Sequence, residues 1–281
     1  MHEPLGNSWF PETATLSEHV NRVLGLNPGL MTGPGTNTYL VGREAPVLID
    51  TGAGVPGYLP NLLKYLDRSH LGAPSRILLT HRHVDHMGGV TQLRQAFPGI
   101  PVAKLLFRDG TLPVPMEPLH DGHVTEVDGL HLLAIHTPGH ASDHLSFYLQ
   151  EERALFTGDL ILGGTTTVIP PGDGDMGDYL DSLQRLLDLD LARIYPAHGP
   201  VIENPKEKIE EYIAHRLDRE RKILDALRAG DRTVPEIVAR VYTDTLPVLH
   251  PVAQLSVESH LIKLEREGRV RRIARDQFEL A

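Results

Sequence analysis

Three histidines and an aspartate lie within six residues of one another in the turn Thr80-His81-Arg82-His83-Val84-Asp85-His86, directly after a strand-like apolar run. Histidine is a common ligand of first-row transition metals, and a turn that leaves a strand lets several side chains converge without distorting regular structure. The H-x-H-x-D-H spacing therefore predicts a metal site, and a polar loop that is merely rich in histidine is the weaker interpretation. Such a site needs further ligands from elsewhere in the chain.

The composition limits what those ligands can be. The 281 residues include no cysteine, so a metal here must be held by histidine, carboxylate and water. The length suits one large domain, or one domain with a smaller appendage. Met1 to Phe10 matches neither a signal peptide nor a transit peptide, and no run is long enough to span a membrane. We therefore expect a cytoplasmic protein that has no membrane partner.

The distribution of charge changes near residue 204. Residues 205–281 hold 15 Lys and Arg against 14 Asp and Glu, whereas residues 1–204 hold 12 against 23. Bound cations would offset part of the acidity of the first region, so this acidity excludes no anionic substrate. We predict two domains, a catalytic domain over residues 1–204 and a smaller C-terminal domain over residues 205–281.

Strands predominate in the first region, with helices between them. Helical spacing predicts helices at Tyr58–Arg68, from Gly88-Gly89 to about Phe97, and at Tyr179–Leu187. β-branched, aromatic or buried apolar runs predict strands at 37–41, 47–49, 77–80, 102–105, 124–127, 130–136, 145–149, 154–157 and 193–195. The pattern indicates an α/β fold in which helices cover sheets and functional loops follow the strand ends.

Three further candidate ligands follow predicted strands. His140 lies in Thr-Pro-Gly-His, where proline and glycine force a sharp turn; Asp159 lies in Thr-Gly-Asp; and His198 lies in Pro-Ala-His-Gly-Pro. Each alone is compatible with an ordinary turn. Their common position after strands, in the same chain as the His-rich turn, favours a shared metal site.

These motifs, T-H-x-H-x-D-H, T-P-G-H, G-D and a final H-G, resemble in order those of the metallo-β-lactamase fold superfamily. The resemblance covers roughly residues 17–204 and implies an αββα sandwich with a dinuclear site, usually zinc, at one edge of its two sheets. It implies that one ion is held by His81, His83 and His140, and the other by Asp85, His86 and His198, with Asp159 bridging. Manganese or iron also suits ligands of these types.

A narrower resemblance is carried by Asn27-Pro28-Gly29, by Gly35–Gly42, by Thr137–His144 and by Tyr195–Ile202. These stretches are similar to those of the branch that contains the β-lactamase-like protein 2 endoribonucleases and the thioesterases that release polyketides from carrier proteins. The segment Val168–Asp178 departs from that branch as a longer loop.

The predicted ligands imply hydrolysis. Two neighbouring cations can share a hydroxide, lower its pKa and polarise the group that it attacks. Asp85 is the candidate catalytic residue, which orients the bridging water or handles its proton, and a plain ligand role is the alternative. Asp50 is predicted to accept a hydrogen bond from a metal-bound imidazole. Asp143 and His144 are left open between a role in the substrate cleft and a structural one.

The region after residue 204 has a different character. Helical spacing predicts helices at Pro205–Ala229, from Thr233 to about Tyr242, and at Leu255–Glu267, followed by a hairpin over 269–273 and 277–280. Three helices and a two-stranded wing resemble a winged-helix module. The wing arginines Arg269, Arg271, Arg272 and Arg275 suggest nucleic-acid binding. The alternative, favoured by the mixed charge of the third helix, is a module that packs on the catalytic domain.

Three functions remain open at this point. We expect a zinc-dependent hydrolase that acts as an endoribonuclease-like phosphodiesterase on single-stranded RNA, with the wing arginines contacting the RNA backbone. The alternative is a thioesterase or related acyl hydrolase acting on a small-molecule thioester, with Val168–Asp178 as a lid. A metal-binding regulatory module without turnover is disfavoured, because all seven predicted ligands are present.

Overall fold

The computed structural model describes residues 10–106, 115–243 and 246–281. Contacts between residues divide the chain into two compact units. Unit 1 comprises the stretches up to His136, Asp143–Thr165 and Leu191–Glu203, and unit 2 comprises Thr137–Ser142, Thr166–Asp190 and Asn204–Ala281. The domain boundary predicted between residues 204 and 205 stays a prediction.

Unit 1 is built on two sheets. The first has seven strands in chain order: β1 (Thr13–Thr15), β2 (Val20–Leu24), β3 (Asn37–Val41), β4 (Val47–Ile49), β5 (Arg76–Leu78), β6 (Val102–Leu105) and β7 (Glu117–Leu119). The second has five, in the spatial order β12-β11-β10-β9-β8: β8 (Val124–Val127), β9 (Leu130–His136), β10 (Leu145–Leu149), β11 (Ala154–Gly158) and β12 (Arg193–Pro196). Helices α1 (Tyr58–Arg68), α2 (Val84–Met87) and α3 (Val90–Ala96) complete the unit.

Two apolar cores separate the layers of unit 1. One lies between the sheets and joins Tyr39 of β3 to Phe147 of β10, Phe156 of β11 and Tyr195 of β12. The other lies on the opposite face of the first sheet, where its buried aliphatic side chains pack against α1 and α3. The observed layers of unit 1 are thus helix, sheet and sheet, in agreement with the α/β sandwich expected from the sequence.

The strand directions place the candidate ligands. Strands β4 and β5 run parallel, so Asp50 and the His-rich turn leave the first sheet at the same edge. In the second sheet β11 and β12 are parallel, and both precede a candidate ligand, Asp159 and His198 respectively. Loops at the carboxyl ends of parallel strands are the usual place for ligand sites in α/β sheets.

Unit 2 contains α4 (Met176–Leu186), α5 (Pro205–Arg228), α6 (Val234–Val241), the 3-10 turn Pro247–Leu249, α7 (His250–Arg266) and the hairpin β13 (Val270–Ala274) and β14 (Gln277–Leu280). Side chains of α5, α6, α7 and the hairpin share one apolar core. Three helices followed by a two-stranded wing confirm the predicted winged-helix arrangement.

Local differences from the sequence-based elements have identifiable causes. Helix α7 begins at His250 rather than at Leu255, because Pro251 lies in the first turn, where no backbone N–H is needed. Helix α4 begins at Met176 rather than at Tyr179, because the Asp175 side chain accepts hydrogen bonds from the first backbone N–H groups. Strands β1, β2 and β7 were not expected. Leu217, predicted to lie on the apolar stripe of α5, is exposed.

Candidate metal centre

The His-rich turn begins where β5 ends and continues into the short helix α2. His83 is the extended N-cap residue of α2, so Asp85 and His86 lie in the single turn of this helix while His81 and His83 precede it. The change from extended to helical backbone spreads the side chains of the turn over two neighbouring groups. His81 and His86 are fully buried, and His83 and Asp85 are half-buried.

Four predicted ligands converge in unit 1. Nε2 of His86 lies 3.5 Å from Oδ2 of Asp85 and 3.3 Å from Oδ1 of Asp159. Nε2 of His198 lies 3.3 Å from the same Asp85 oxygen and 3.2 Å from the same Asp159 oxygen. We call these four residues the Asp85 cluster. One ligand atom of each lies within 4.8 Å of the others.

The spacing in the Asp85 cluster fits a metal ion. Tetrahedral coordination with metal–ligand bonds of about 2.0–2.2 Å sets the ligand atoms about 3.3–3.6 Å apart. The nitrogen–oxygen separations of 3.2–3.5 Å lie at or just below these values and exceed the commonest hydrogen-bond length of about 2.9–3.0 Å. Nε2 of His86 is buried and makes no hydrogen bond within the described part of the chain. The residues therefore fit a divalent cation.

The charges of the cluster also favour a cation. Burial by itself raises the pKa of Asp159, but His198 and His86 outweigh it and hold that pKa well below its usual range. Burial lowers the pKa of His198, yet the carboxylates of Asp159 and Asp85 raise it to about 9. The pKa of His86 is raised in the same way, by Asp159 and Asp50 against burial. Carboxylates that stabilise positive charge on imidazoles supply the same attraction to a metal ion.

Asp50 orients one of these imidazoles. Its Oδ2 lies 2.8 Å from Nδ1 of His86, and both side chains are buried. The carboxylate also accepts hydrogen bonds from the backbone N–H and the hydroxyl of Thr80, each at 2.8 Å. A carboxylate accepts from Nδ1–H, so Nε2 is the atom of His86 that faces the cluster, and its lone pair would bind an ion that displaces the proton there. The predicted hydrogen bond between Asp50 and an imidazole of the site is confirmed.

His81 and His83 form a second group of imidazoles in unit 1. Nε2 of His81 lies 2.9 Å from Nδ1 of His83, with the two rings nearly perpendicular. Nδ1 of His81 lies 3.0 Å from the Thr80 hydroxyl, which fixes the orientation of its ring. The two nitrogens therefore come close enough to share one ion.

His140 belongs to unit 2. Its Nδ1 lies 2.7 Å from the carbonyl oxygen of Val168 and 3.2 Å from the hydroxyl of Thr167. The carbonyl can only accept, so Nδ1 carries the hydrogen and the acceptor lone pair lies on Nε2. The assignment of His140 to an ion shared with His81 and His83 stays a prediction.

The structure favours structural roles for Asp143 and His144. Asp143 forms a buried ion pair with Lys104 of β6, whose ammonium also donates to the carbonyl of Leu105. Nε2 of His144 accepts the backbone N–H of Asp159 at 3.2 Å, so His144 positions the residue that follows β11. Gly158 is required beside it, because a Cβ there would lie 2.6 Å from that ring nitrogen.

Sequence reasoning missed the residues that support His198. Asn37 donates through Nδ2 to the carbonyls of Pro196 and Gly199, each at 2.9 Å, and the Tyr39 hydroxyl donates to Pro196 at 2.6 Å. The only sequence signal was an amide residue at the start of a short strand, Asn-Thr-Tyr-Leu-Val. Such a residue becomes informative only when the loop that it holds is known.

Three of the wing arginines are paired within unit 2. Arg269 bonds to Glu220 at 2.6 Å and also approaches Glu267, and Arg271 pairs with Glu279 on the facing strand. Arg272 lies over the ring of Phe278, with Glu265 at 3.5 Å. These guanidinium groups already neutralise carboxylates of their own unit.

Comparison with known proteins defines the class. Residues 31–198 match the Metallo-beta-lactamase superfamily, and residues 233–277 match the Beta-lactamase associated winged helix domain. The chain belongs to the metallo-β-lactamase superfamily, whose α/β sandwich it carries together with a C-terminal winged-helix domain. Members of this superfamily are typically hydrolases that bind divalent metals, and the Asp85 cluster provides ligands of the required types.

Similar proteins span most of the chain. A Beta-lactamase-like protein 2 homolog of Caenorhabditis elegans is 42% identical over 90% of this chain and 86% of its own length. An Atrochrysone carboxyl ACP thioesterase of Aspergillus fumigatus is 42% identical over 78% of this chain and 68% of its own. The crystal structure of a metallo-beta-lactamase family protein from Thermus thermophilus has a TM-score of 0.81 at 25% identity, covering 95% of this chain and 100% of that one.

Within residues 10–106, 115–243 and 246–281, no helix is long and apolar enough to cross a membrane.

Proposed function

We propose that this protein is a metal-dependent hydrolase of acyl thioesters that uses two ions, most naturally zinc. One ion is assigned to the Asp85 cluster, with Asp159 as the bridging carboxylate, and the other to His81, His83 and His140. The observation that carries the hydrolase assignment is the convergence of two imidazoles and two carboxylates at the spacing of metal ligands. Manganese and iron suit the same ligands.

Ions bound here would supply Lewis acidity, which lowers the pKa of a water and polarises the carbonyl that the water attacks. The chain itself supplies orientation and proton handling. Asp85 is half-buried, and its Oδ2 faces both His86 and His198, so its carboxylate is the group placed to accept a proton from the attacking water. Its pKa is lowered, since His198 and His86 outweigh burial, so Asp85 is ionised at neutral pH.

Two observations support a thioester substrate. The Aspergillus fumigatus thioesterase shares 42% of its residues with this chain over the aligned region. In addition, three of the wing arginines that an RNA backbone would require are paired with Glu220, Glu265, Glu267 or Glu279. An RNA that recruited these arginines would have to break those ion pairs.

The endoribonuclease-like activity on single-stranded RNA is kept as the second candidate. It is supported by the 42% identity with the Beta-lactamase-like protein 2 homolog, because the sequence resemblance associates that branch with endoribonucleases. Two cations that neutralise a phosphate would serve phosphodiester cleavage with the same ligands.

The two substrates are separated by a direct assay. The zinc-loaded protein is tested on an acyl-pantetheine thioester and on an end-labelled single-stranded RNA, together with Asp85→Ala and the control Asp67→Ala at an exposed position of α1. We expect thioester hydrolysis by the wild type and by Asp67→Ala, and a loss of about 10²–10⁴-fold in Asp85→Ala, the usual contribution of a positioned acid–base group. Cleavage of RNA alone would overturn the thioester assignment, and equal activity of all three proteins would overturn the role of Asp85.

A further inference from the structure

The segment Thr167-Val168-Ile169 of unit 2 is held at three successive carbonyl groups. The carbonyl of Val168 accepts from Nδ1 of His140 at 2.7 Å. The carbonyl of Thr167 accepts from Nη2 of Arg216 on α5 at 2.5 Å, and that of Ile169 accepts from the hydroxyl of Ser259 on α7 at 2.7 Å. Two helices thus fix the backbone on both sides of the carbonyl that orients His140.

Arg216 occupies an unusual position for a cation. Only 2% of its surface is exposed, and within the described residues it has no carboxylate partner; its guanidinium lies 5.2 Å from the ring centroid of Tyr179. Burying a cation without a carboxylate is costly, and the hydrogen bonds to the Thr167 carbonyl and to the Tyr179 side chain offset only part of that cost. The hydrogen bond to Thr167 is the contact through which this side chain holds the segment that orients His140.

The consequence for His140 follows from its hydrogen bonds. The Val168 carbonyl selects the tautomer in which Nδ1 carries the hydrogen, and it fixes the rotation of the ring. If residues 167–169 shifted, that carbonyl would move away from Nδ1, and the direction of the Nε2 lone pair would change with it. Thr167 and Ile169 are buried, so water does not replace the hydrogen bonds that hold this segment.

We propose that Arg216 and Ser259 are positioning residues for the metal ligand His140, so that the helices of unit 2 set the affinity for one of the two ions. The proposal rests on the proposed function only in taking His140 as a ligand. The helices of unit 2 would thus contribute to metal binding by orienting His140, without any contact with the substrate.

Three variants test this proposal against a matched control. Arg216→Met and Ser259→Ala each remove a donor, and Arg216→Lys restores a cationic donor to the Thr167 carbonyl. Ser256→Ala makes the same small change at another buried position of α7, where the side chain makes no hydrogen bond to residues 167–169. The measurements are Zn²⁺ affinity by competition with a chromophoric chelator and thermal unfolding of the metal-free protein.

We expect Arg216→Met and Ser259→Ala to weaken one of the two Zn²⁺ affinities by about tenfold, the lower end of the effect of removing support from a metal ligand. Arg216→Lys should recover most of the loss, and Ser256→Ala should bind as the wild type does. The metal-free melting temperatures of Ser259→Ala and Ser256→Ala should agree. Wild-type affinity for both ions in Ser259→Ala and Arg216→Met would overturn the proposal, as would a loss in Ser259→Ala that Ser256→Ala shares.

If Arg216→Met does not fold, Ser259→Ala and Arg216→Lys decide the outcome. Failure of the proposed function gives a different result, namely a wild type that binds two ions and hydrolyses neither substrate.

Discussion

At the level of single residues, Asp50 joins the backbone of the His-rich turn to the imidazole of His86. Its backbone φ is +59°, a left-handed conformation that few residues other than glycine, asparagine and aspartate adopt readily. The strained backbone is offset by three hydrogen bonds to its carboxylate, from Thr80 and His86. The backbone conformation and the side chain of Asp50 thus both serve to orient the His86 ring.

Asp50→Asn tests this role because asparagine tolerates the same backbone conformation. The amide has one acceptor oxygen in place of two and turns a donor toward groups that donate, so the His86 ring loses its orientation. We expect the affinity of the Asp85 cluster for Zn²⁺ to fall by about 10–100-fold. Chelator competition measures it.

The control for this prediction is Asp128→Asn. Asp128 also has a positive φ, of +50°, and its carboxylate accepts the backbone N–H groups of Arg43 and Glu44 at an exposed turn. Zn²⁺ binding should not change in this variant. An equal loss of affinity in both variants would show that the effect is general destabilisation.

Residue chemistry indicated the members of the Asp85 cluster as candidate ligands, because histidines and aspartates after strands are rare in combination, and the family resemblance implied their grouping around one ion. The supports of the cluster were harder to predict. Asn37 holds the loop of His198 through carbonyls about 160 residues away in the chain. Arg216 likewise holds the carbonyl of Thr167, which is 49 residues away. Contacts of this kind are set by packing, and no local spacing encodes them.

At the level of secondary structure, helix α7 has a polar residue in its core-facing side. His260 is fully buried, and neither ring nitrogen makes a hydrogen bond within the described residues. Burial, reinforced by Arg216, Lys263 and His215, lowers its pKa to about 3. The ring is therefore neutral in the folded protein at every pH near neutrality.

This burial predicts a dependence of stability on pH. An unfolded histidine takes up a proton below about pH 6.5, whereas folded His260 does so only near pH 3, so folding loses free energy as the pH falls between these values. Between pH 7.5 and 5.5 the unfolded state should gain about 1 kcal/mol from this group. The substitution His260→Leu removes this pH-dependent contribution to the free energy of unfolding.

The unfolding free energy of α7, measured by hydrogen exchange in the metal-free protein, should thus fall more on acidification in the wild type than in His260→Leu. His250→Leu, at the half-buried start of the same helix, should keep the wild-type dependence. Parallel pH profiles for the wild type and His260→Leu would contradict the burial of a neutral imidazole.

Helix and strand positions could be predicted where the periodic pattern of apolar residues extends over many positions, as in α1, α5, β9 and β10. The starts of α4 and α7 were missed for opposite reasons. An N-cap at Asp175 begins α4 before its apolar stripe, and α7 continues through a proline that usually marks a helix boundary. The short edge strands β1 and β7 have too few residues for a periodic signal.

At the level of the whole molecule, the sequence predicted the sandwich class and the wing, because motif order and helical periodicity are properties of the chain. It predicted less well how segments group in space. The loop 137–142 and the segment 166–190, which contains α4, belong with the helical unit rather than with the sheets around them in sequence. Gly139 illustrates the reason, since a Cβ there would lie 2.3 Å from the backbone of Tyr179 on α4.

This grouping gives the C-terminal region a role in orienting His140. His140 lies in a loop of unit 2, and the helices of the same unit hold the segment that orients its ring. The C-terminal helices are accordingly placed to orient the residue that we propose as a metal ligand, and this role does not require nucleic-acid binding.

Anomalous diffraction from crystals of the zinc-loaded protein tests directly whether the Asp85 cluster binds a metal ion. We expect a peak at the zinc absorption edge about 2.0–2.2 Å from the facing atoms of Asp85, His86, Asp159 and His198. Zinc bound only elsewhere, or no anomalous peak among these residues in a loaded crystal, would contradict metal binding by the Asp85 cluster.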